Sequence, residues 1–264
     1  MTRRGQILLI SLLSVALVLL STNSYSRTLK ACGHPFYPPV SWISDKQLMG
    51  LAPTVTQQLF AELGYRVELR AGYNWKRCLL EVQRGNADIV VAAYHIPSRE
   101  SYLWFSHEPV IADPITLFVN RESPLVYKTR DDLRGKVTGL LLGDSFGEDL
   151  DQFLSQNTRI EYVSRNRQNF DKLAHQKIDF MPIGLLSGRL QSRKMGFHEQ
   201  IMPLDEKVST ELYFLAVGKK SGLQKHLPFI DHRLKELHQN GTIKRLTDQY
   251  SLQYLDQIAT EPDQ

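Results

Sequence analysis

Five consecutive apolar positions, Ile89 to Ala93, carry no polar alternation and predict a strand buried on both faces of a parallel sheet. Just before it, Leu79, Leu80 and Val82 form one apolar face of a helix that Gly85 closes in the left-handed conformation. The same alternation of element types runs through the first third of the chain. Leu29 to Cys32 is a short first strand, stopped by the turn Gly33 to Pro39, whose prolines cannot continue a sheet. Pro53 suits a helix start, Val55, Leu59, Phe60 and Leu63 share a face, and Gly64 ends it. Tyr65 to Leu69 alternates as a strand. This βαβαβ order predicts an α/β layer around a parallel sheet.

After Phe105-Ser106 the chain passes Asp113-Pro114 and enters another apolar strand, Ile115 to Val119, where a crossing into a second α/β unit is expected. Val137 to Leu142 reads as a strand, and Gly143-Asp144-Ser145 as a turn into a helix with Leu150, Phe153 and Leu154 on one side. Ile160 to Val163, a helix near Phe170 to His175 and the strand Ile178 to Met181 continue this unit. Glu211 to Val217 returns as a strand. A helix from Leu223 to about Asn240 follows, ended by Gly241, and Thr242 to Tyr250 forms a last one.

The first 26 residues differ in kind. Arg3 and Arg4 lead an apolar run from Ile7 to Leu20, and small and polar residues ending Ser24-Tyr25-Ser26 follow, which predicts a cleaved secretory signal rather than a membrane anchor. Without them the charge balance is 30 Lys+Arg to 28 Asp+Glu, nearly neutral, with no basic stripe of the kind that binds nucleic acid. Export also bears on the cysteines. Cys32 and Cys78 are the only two, and in an oxidising compartment such a pair reads first as a disulfide. A metal site drawn from Cys32, His34, Cys78 and His95 is the weaker alternative, since no close-spaced ligand motif is present. Neither His-Glu-x-x-His nor a phosphate loop occurs, and no cofactor is expected.

Ligands of open parallel sheets sit beyond the strand ends, and the edge after Ile89 to Ala93 carries Tyr94, His95 and Arg99. An arginine there can grip a carboxylate through two parallel hydrogen bonds. Asp144 or Ser145 can cap the helix that follows them, leaving free N–H groups as an anion site.

Several of these stretches occur in an order that resembles the family 3 extracellular solute-binding proteins, periplasmic polar amino-acid binders of ABC importers. The matching residues are Tyr37-Pro38-Pro39, Trp75, Gly85-Asn86-Ala87-Asp88, Pro97-Ser98-Arg99, Phe105-Ser106, and Asn240-Gly241-Thr242 with Tyr250 beyond. The resemblance covers roughly Leu29 to Tyr250. It implies an α/β, two-lobed periplasmic binding protein fold of type II, with two hinge crossings and a ligand cleft between the lobes. The expected division is a signal at 1–26, a discontinuous first lobe of 27–113 plus 213–264, and a second lobe of 114–212. It further implies a periplasmic monomer that captures a small carboxylate-bearing solute for an ABC permease and is not an enzyme. Arg99 matches the family's carboxylate-binding arginine, Trp75 its stacking aromatic, and Ser145 its second-lobe hydroxyl with Phe146 beside it. Tyr37, Trp42, Tyr94 and Asp144 complete the candidate ligand-binding set.

Two departures bear on the ligand. The family holds an amino-acid ammonium with an aspartate that, counted from Asp179, falls here on Gly184. The hydroxyl-bearing strand end before the arginine is Ala92-Ala93-Tyr94-His95 here, one residue shorter. An ammonium without an anionic or carbonyl partner in a closed cleft is costly, so ordinary α-amino acids are expected to bind weakly unless Asp144 or another acid takes over. A dehydratase resembling this family, acting on a cyclic hydroxy acid such as arogenate, and a sensory binding module for a separate receptor are the competing readings.

Overall fold

The computed structural model describes residues 27–209 and 212–257. The expected signal, the residues from 258 onward, and 210 and 211 in the second expected crossing lie outside the described residues.

In chain order, the first part contains β1 (Thr28–Cys32), a small meander of β2 (Phe36–Tyr37), β3 (Ser41–Ser44) and β4 (Gln47–Met49), then α1 (Leu51–Glu62), β5 (Arg66–Leu69), α2 (Trp75–Arg84) and β6 (Ile89–Tyr94). β1 lies between β5 and β6 and is parallel to both, the expected βαβαβ layer. Each element starts and stops where its residues dictate. The Asn74 side chain accepts from the Arg77 N–H at 2.8 Å and caps α2, and Gly85 ends it with φ 86°. Every residue of β6 is buried, as its unbroken apolar pattern requires.

A short helix, α3 (Pro97–Glu100), leads to β7 (Leu103–Phe105) and β8 (Ile111–Ala112), which both pair with a later strand in the same six-stranded sheet. The chain then leaves that sheet. β9 (Ile115–Asn120) is the centre of a second, antiparallel sheet, and β10 (Val137–Leu141), α4 (Glu148–Asn157), β11 (Arg159–Val163) and α5 (Asn166–Ala174) build a parallel pair beside it. β12 (Met181–Gly184), α6 (Leu185–Lys194) and β13 (Ile201–Ser209) complete this part, with β12 and β13 flanking β9. β14 (Leu212–Gly218) is back in the first sheet, antiparallel to β6, and α7 (Leu227–Gln239) and α8 (Thr242–Asp256) follow. The molecule is therefore two α/β lobes, each around its own sheet, and the chain passes between them after β8 and again after β13.

Two elements begin later than the sequence reading placed them, and two more, α6 and β13, had no reading. The strand expected at Ile178 to Met181 is β12, beginning at Met181; the residues before it instead meet the edge of β10, where the Asp179 carboxylate accepts from the Val137 N–H at 2.7 Å. The helix expected from Leu223 starts at Leu227, with Pro228 in its first turn. α6 has no apolar stripe, because Leu190 is the one large apolar residue it buries beside Ser187, Gly188, Gln191 and Ser192, and Gln191 is bonded to Asn166, Ser187 and the Phe36 carbonyl. β13 runs from the apolar Ile201, Met202 and Leu204 into Asp205, Glu206 and Lys207 and is bulged against β9, so neither period marks it.

Candidate functional site

β1, β6, α2 and α3 end on one side of a cleft, and the turn after β10 faces them from the other lobe. Together they form a cavity lined by Tyr37, Trp75, Tyr94 and Arg99 from the first lobe, Asp144, Ser145 and Phe146 from the second, and His34 and Tyr213. Seven of the eight expected residues thus meet at one cavity.

Trp42 does not. It packs on the far side with Leu190 and Tyr254, and its indole N–H donates to Gln257 at 3.0 Å. The meander turns alternate residues to opposite faces, so Tyr37 and Trp42 part company despite their closeness in sequence.

Arg99 sits at the cavity wall with only 4% of its surface exposed. Pro97 starts its short helix, the guanidinium donates to the Tyr94 carbonyl at 3.1 Å, and it lies over the Trp75 ring at 5.4 Å. Burial pushes its pKa down, and the charges of Tyr102, Asp144 and Asp151 act against that shift. Among the described residues no carboxylate comes within ion-pairing distance of it. A buried arginine that faces a cavity without an ion-pair partner among the described residues is arranged for an anion that the protein does not itself supply.

The opposing turn is held from below by Asp151 of α4. Its carboxylate accepts from the Ser145 hydroxyl and, at 2.8 Å, from the Phe146 N–H. The Ser145 proton is therefore engaged within its own lobe, and the hydroxyl presents acceptor capacity to the cavity. Burial raises the Asp151 pKa. Asp144 reaches across the cleft to His34, Nε2 to Oδ1 at 3.0 Å. His34 Nδ1 accepts from the Phe36 N–H at 3.1 Å, so Nε2 carries the proton and donates to Asp144.

Three phenols line the end of the cavity nearest the crossings. The Tyr94 and Tyr213 hydroxyls are 2.5 Å apart with rings 4.3 Å apart, and the Tyr213 ring lies 5.0 Å from that of Tyr37. Tyr37 donates to Asp113 at 3.3 Å. Burial pushes Tyr37 and Tyr213 well above the usual phenol range. Asp113 is 1% exposed and also accepts from the Leu186 and Ser187 N–H groups at the start of α6; desolvation raises its pKa to about 6 in spite of these donors. In the sequence Asp113 marks only a crossing, and Tyr213 only a strand. Nothing in their neighbours shows that the two crossings bring them together.

Cys32 and Cys78 form a disulfide with Cα atoms 5.7 Å apart, tying the end of β1 to the helix that carries Trp75. With both sulfurs so bonded, the alternative metal site has lost two of its donors, and the fourth, His95, is bonded to Glu100 at the surface.

The profile of the bacterial extracellular solute-binding proteins, family 3, matches residues 29–253. The chain belongs to this family. Its relatives include the L-cystine-binding protein TcyJ of Escherichia coli, 23% identical over 215 residues, which are 81% of this chain and 79% of TcyJ. Among solved structures it is similar to the amino acid ABC transporter substrate-binding protein AbpA from Streptococcus pneumoniae bound to L-arginine, at a TM-score of 0.74 and 19% identity over 87% of this chain and 97% of that one. It is also similar to the ancestral amino acid-binding protein AncCDT-1, a precursor of cyclohexadienyl dehydratase, at 0.69 and 22% over 84% and 95%. This family 3 protein therefore has the two-lobed type II binding-protein fold, and it is a solute-binding protein whose cavity lies between the lobes.

Proposed function

We propose that this protein captures a small solute bearing a carboxylate, an amino acid or a close relative of one, and delivers it as a monomer to an ABC permease in the periplasm. The lobes divide at 27–113 plus 213–264 and 114–212, and residues 1–26 are the removed signal. Arg99 is the observation that carries this reading: a buried guanidinium, oriented by the Tyr94 carbonyl and the Trp75 face, faces the cavity between the lobes with no acidic partner in ion-pairing distance among the described residues. Trp75 and Phe146 cover the ligand's side chain from opposite lobes, and Asp144, Tyr94 and Ser145 offer it polar contacts. The ligands of these two proteins, L-cystine and L-arginine, are both amino acids and support the class.

Thermal-shift screening of the mature protein against amino acids, other small carboxylates and sugars tests it. A ligand that binds only the folded state adds about 2.7 kcal/mol of stability at a hundredfold excess over Kd. Arg99→Ala should then cost on the order of 2 to 5 kcal/mol of binding free energy by calorimetry. Stabilisation by sugars alone, or an unchanged affinity in Arg99→Ala, overturns the assignment. The similarity to a dehydratase precursor keeps one second reading in view, and recovery of arogenate unchanged after incubation with the protein separates the binder from the enzyme.

A further inference from the structure

The family pattern implies a carboxylate at position 184, where this chain has glycine, and the structure shows what fills that space. A Cβ built on Gly184 would fall on the Tyr37 hydroxyl and the Asp113 carboxylate, with the Asp113 Cγ 2.6 Å away. A side chain at 184 and the Tyr37–Asp113 pair therefore exclude each other. The carboxylate has not been lost from this corner of the cleft; it comes from the crossing strand after β8 instead of from β12.

We propose that Asp113, acting through the Tyr37 hydroxyl, positions the amino end of an amino-acid ligand in this protein. The inference rests on the carboxylate-binding reading of Arg99. Asp113 does not line the cavity, whereas Tyr37 does. The Tyr37 proton points to Asp113, so the phenol oxygen, polarised by the carboxylate behind it, accepts from the Tyr213 hydroxyl and has one further lone pair for a ligand donor. A ligand ammonium donating to that oxygen meets one buried negative charge at second hand, which offsets the cost of stripping its water. Tyr94 and Tyr213 extend the same hydroxyl-lined wall. Asp113 is in turn fixed by two backbone donors of α6, so the group cannot swing away to be replaced by solvent. Asp113 is a positioning residue here, and Tyr37 makes the contact.

The test compares L-amino acids, including L-cystine and L-arginine, with their desamino counterparts, which keep the carboxylate and side chain and lack only the amine. For wild-type protein the best amino acid should bind at least tenfold more tightly than its desamino partner by calorimetry. In Tyr37→Phe and in Asp113→Asn that ratio should fall toward one. Equal affinity of the two series for wild-type protein overturns the inference while leaving the carboxylate reading intact, and failure of both series to bind removes that reading and the inference with it. A ratio that stays at its wild-type value while both affinities drop shows a purely structural role and also overturns it. Should Asp113→Asn fail to fold, Tyr37→Phe, which deletes a single oxygen, decides alone.

Discussion

A buried aspartate whose pKa stands near 6 leaves a signature in stability as well as in binding. The groups that face Asp113 are the Tyr37 phenol, with those of Tyr94 and Tyr213 beyond it, and the Leu186 and Ser187 N–H groups; none of these carries a charge near neutral pH. Its folded pKa is raised above the ordinary 3.8, so the folded state holds the proton more tightly than the unfolded state. The contribution of Asp113 to stability is accordingly full below about pH 4 and is lost as the pH rises through about 6. Two pH units correspond to roughly 3 kcal/mol at most. The stability of wild-type protein relative to Asp113→Asn should therefore fall by about 2 to 3 kcal/mol between pH 4 and pH 8, measured by urea unfolding across that range. A difference that does not change with pH would show that the carboxylate is not desolvated as the geometry requires. Gly184 belongs to the same scale. The sequence shows that the family's aspartate is missing, but only the packing shows that another acid has taken its space.

At the scale of elements, the disulfide does two things at once. It closes a loop of 46 residues, worth about 4 kcal/mol in the chain-entropy account, and it joins β1, which leads into His34, to α2, which presents Trp75 one turn before Cys78. Both cysteines are fully buried, and around them Trp75, Val82, Val90 and Ala93 form a small core of their own. Replacing both by alanine should lower stability by about 2 to 4 kcal/mol in urea and should weaken ligand binding through Trp75. A double variant as stable as wild type, with the same affinity, would show that packing alone holds α2 in place. The elements that carry this half of the site were legible in the chain because their signals are local: the apolar run of β6, the apolar face and Gly85 stop of α2, the single pair of cysteines. α6 and β13 were not. α6 buries hydrogen-bonded polar side chains, and β13 is a bulged strand of mixed polarity, so their places are set by partners distant in sequence. The same holds for the site, where Trp75, Arg99 and Ser145 carry motif spacing, while Trp42 falls on the wrong face of the meander and Asp113 and Tyr213 are joined only by the two crossings.

For the whole molecule, the cavity exists only because the lobes have come together. A Cβ on Gly143, in the second-lobe turn, would already lie 3.3 Å from the Trp75 ring and from the Lys76 nitrogen, so the two walls are in contact at that point. The His34–Asp144 bond spans the same gap, and Asp144 is joined to the first lobe through it. Contacts of this kind are absent while the lobes stand apart and form on closure, so they act on the lifetime of the complex and hardly on the encounter. His34→Phe keeps an aromatic ring beside Trp75 and Tyr37, 5.3 and 5.6 Å away in the native arrangement, but removes the N–H that donates to Asp144. A hydrogen bond to a carboxylate is worth about 1.5 kcal/mol or more, a factor of about ten. Stopped-flow fluorescence, with Trp75 as the reporter at the closing face, should show ligand release about ten times faster in His34→Phe and an association rate within about twofold of wild type. Unchanged release would mean that closure is held by the ligand and the apolar walls alone, and a slowed association would place His34 in the entry step instead of the latch.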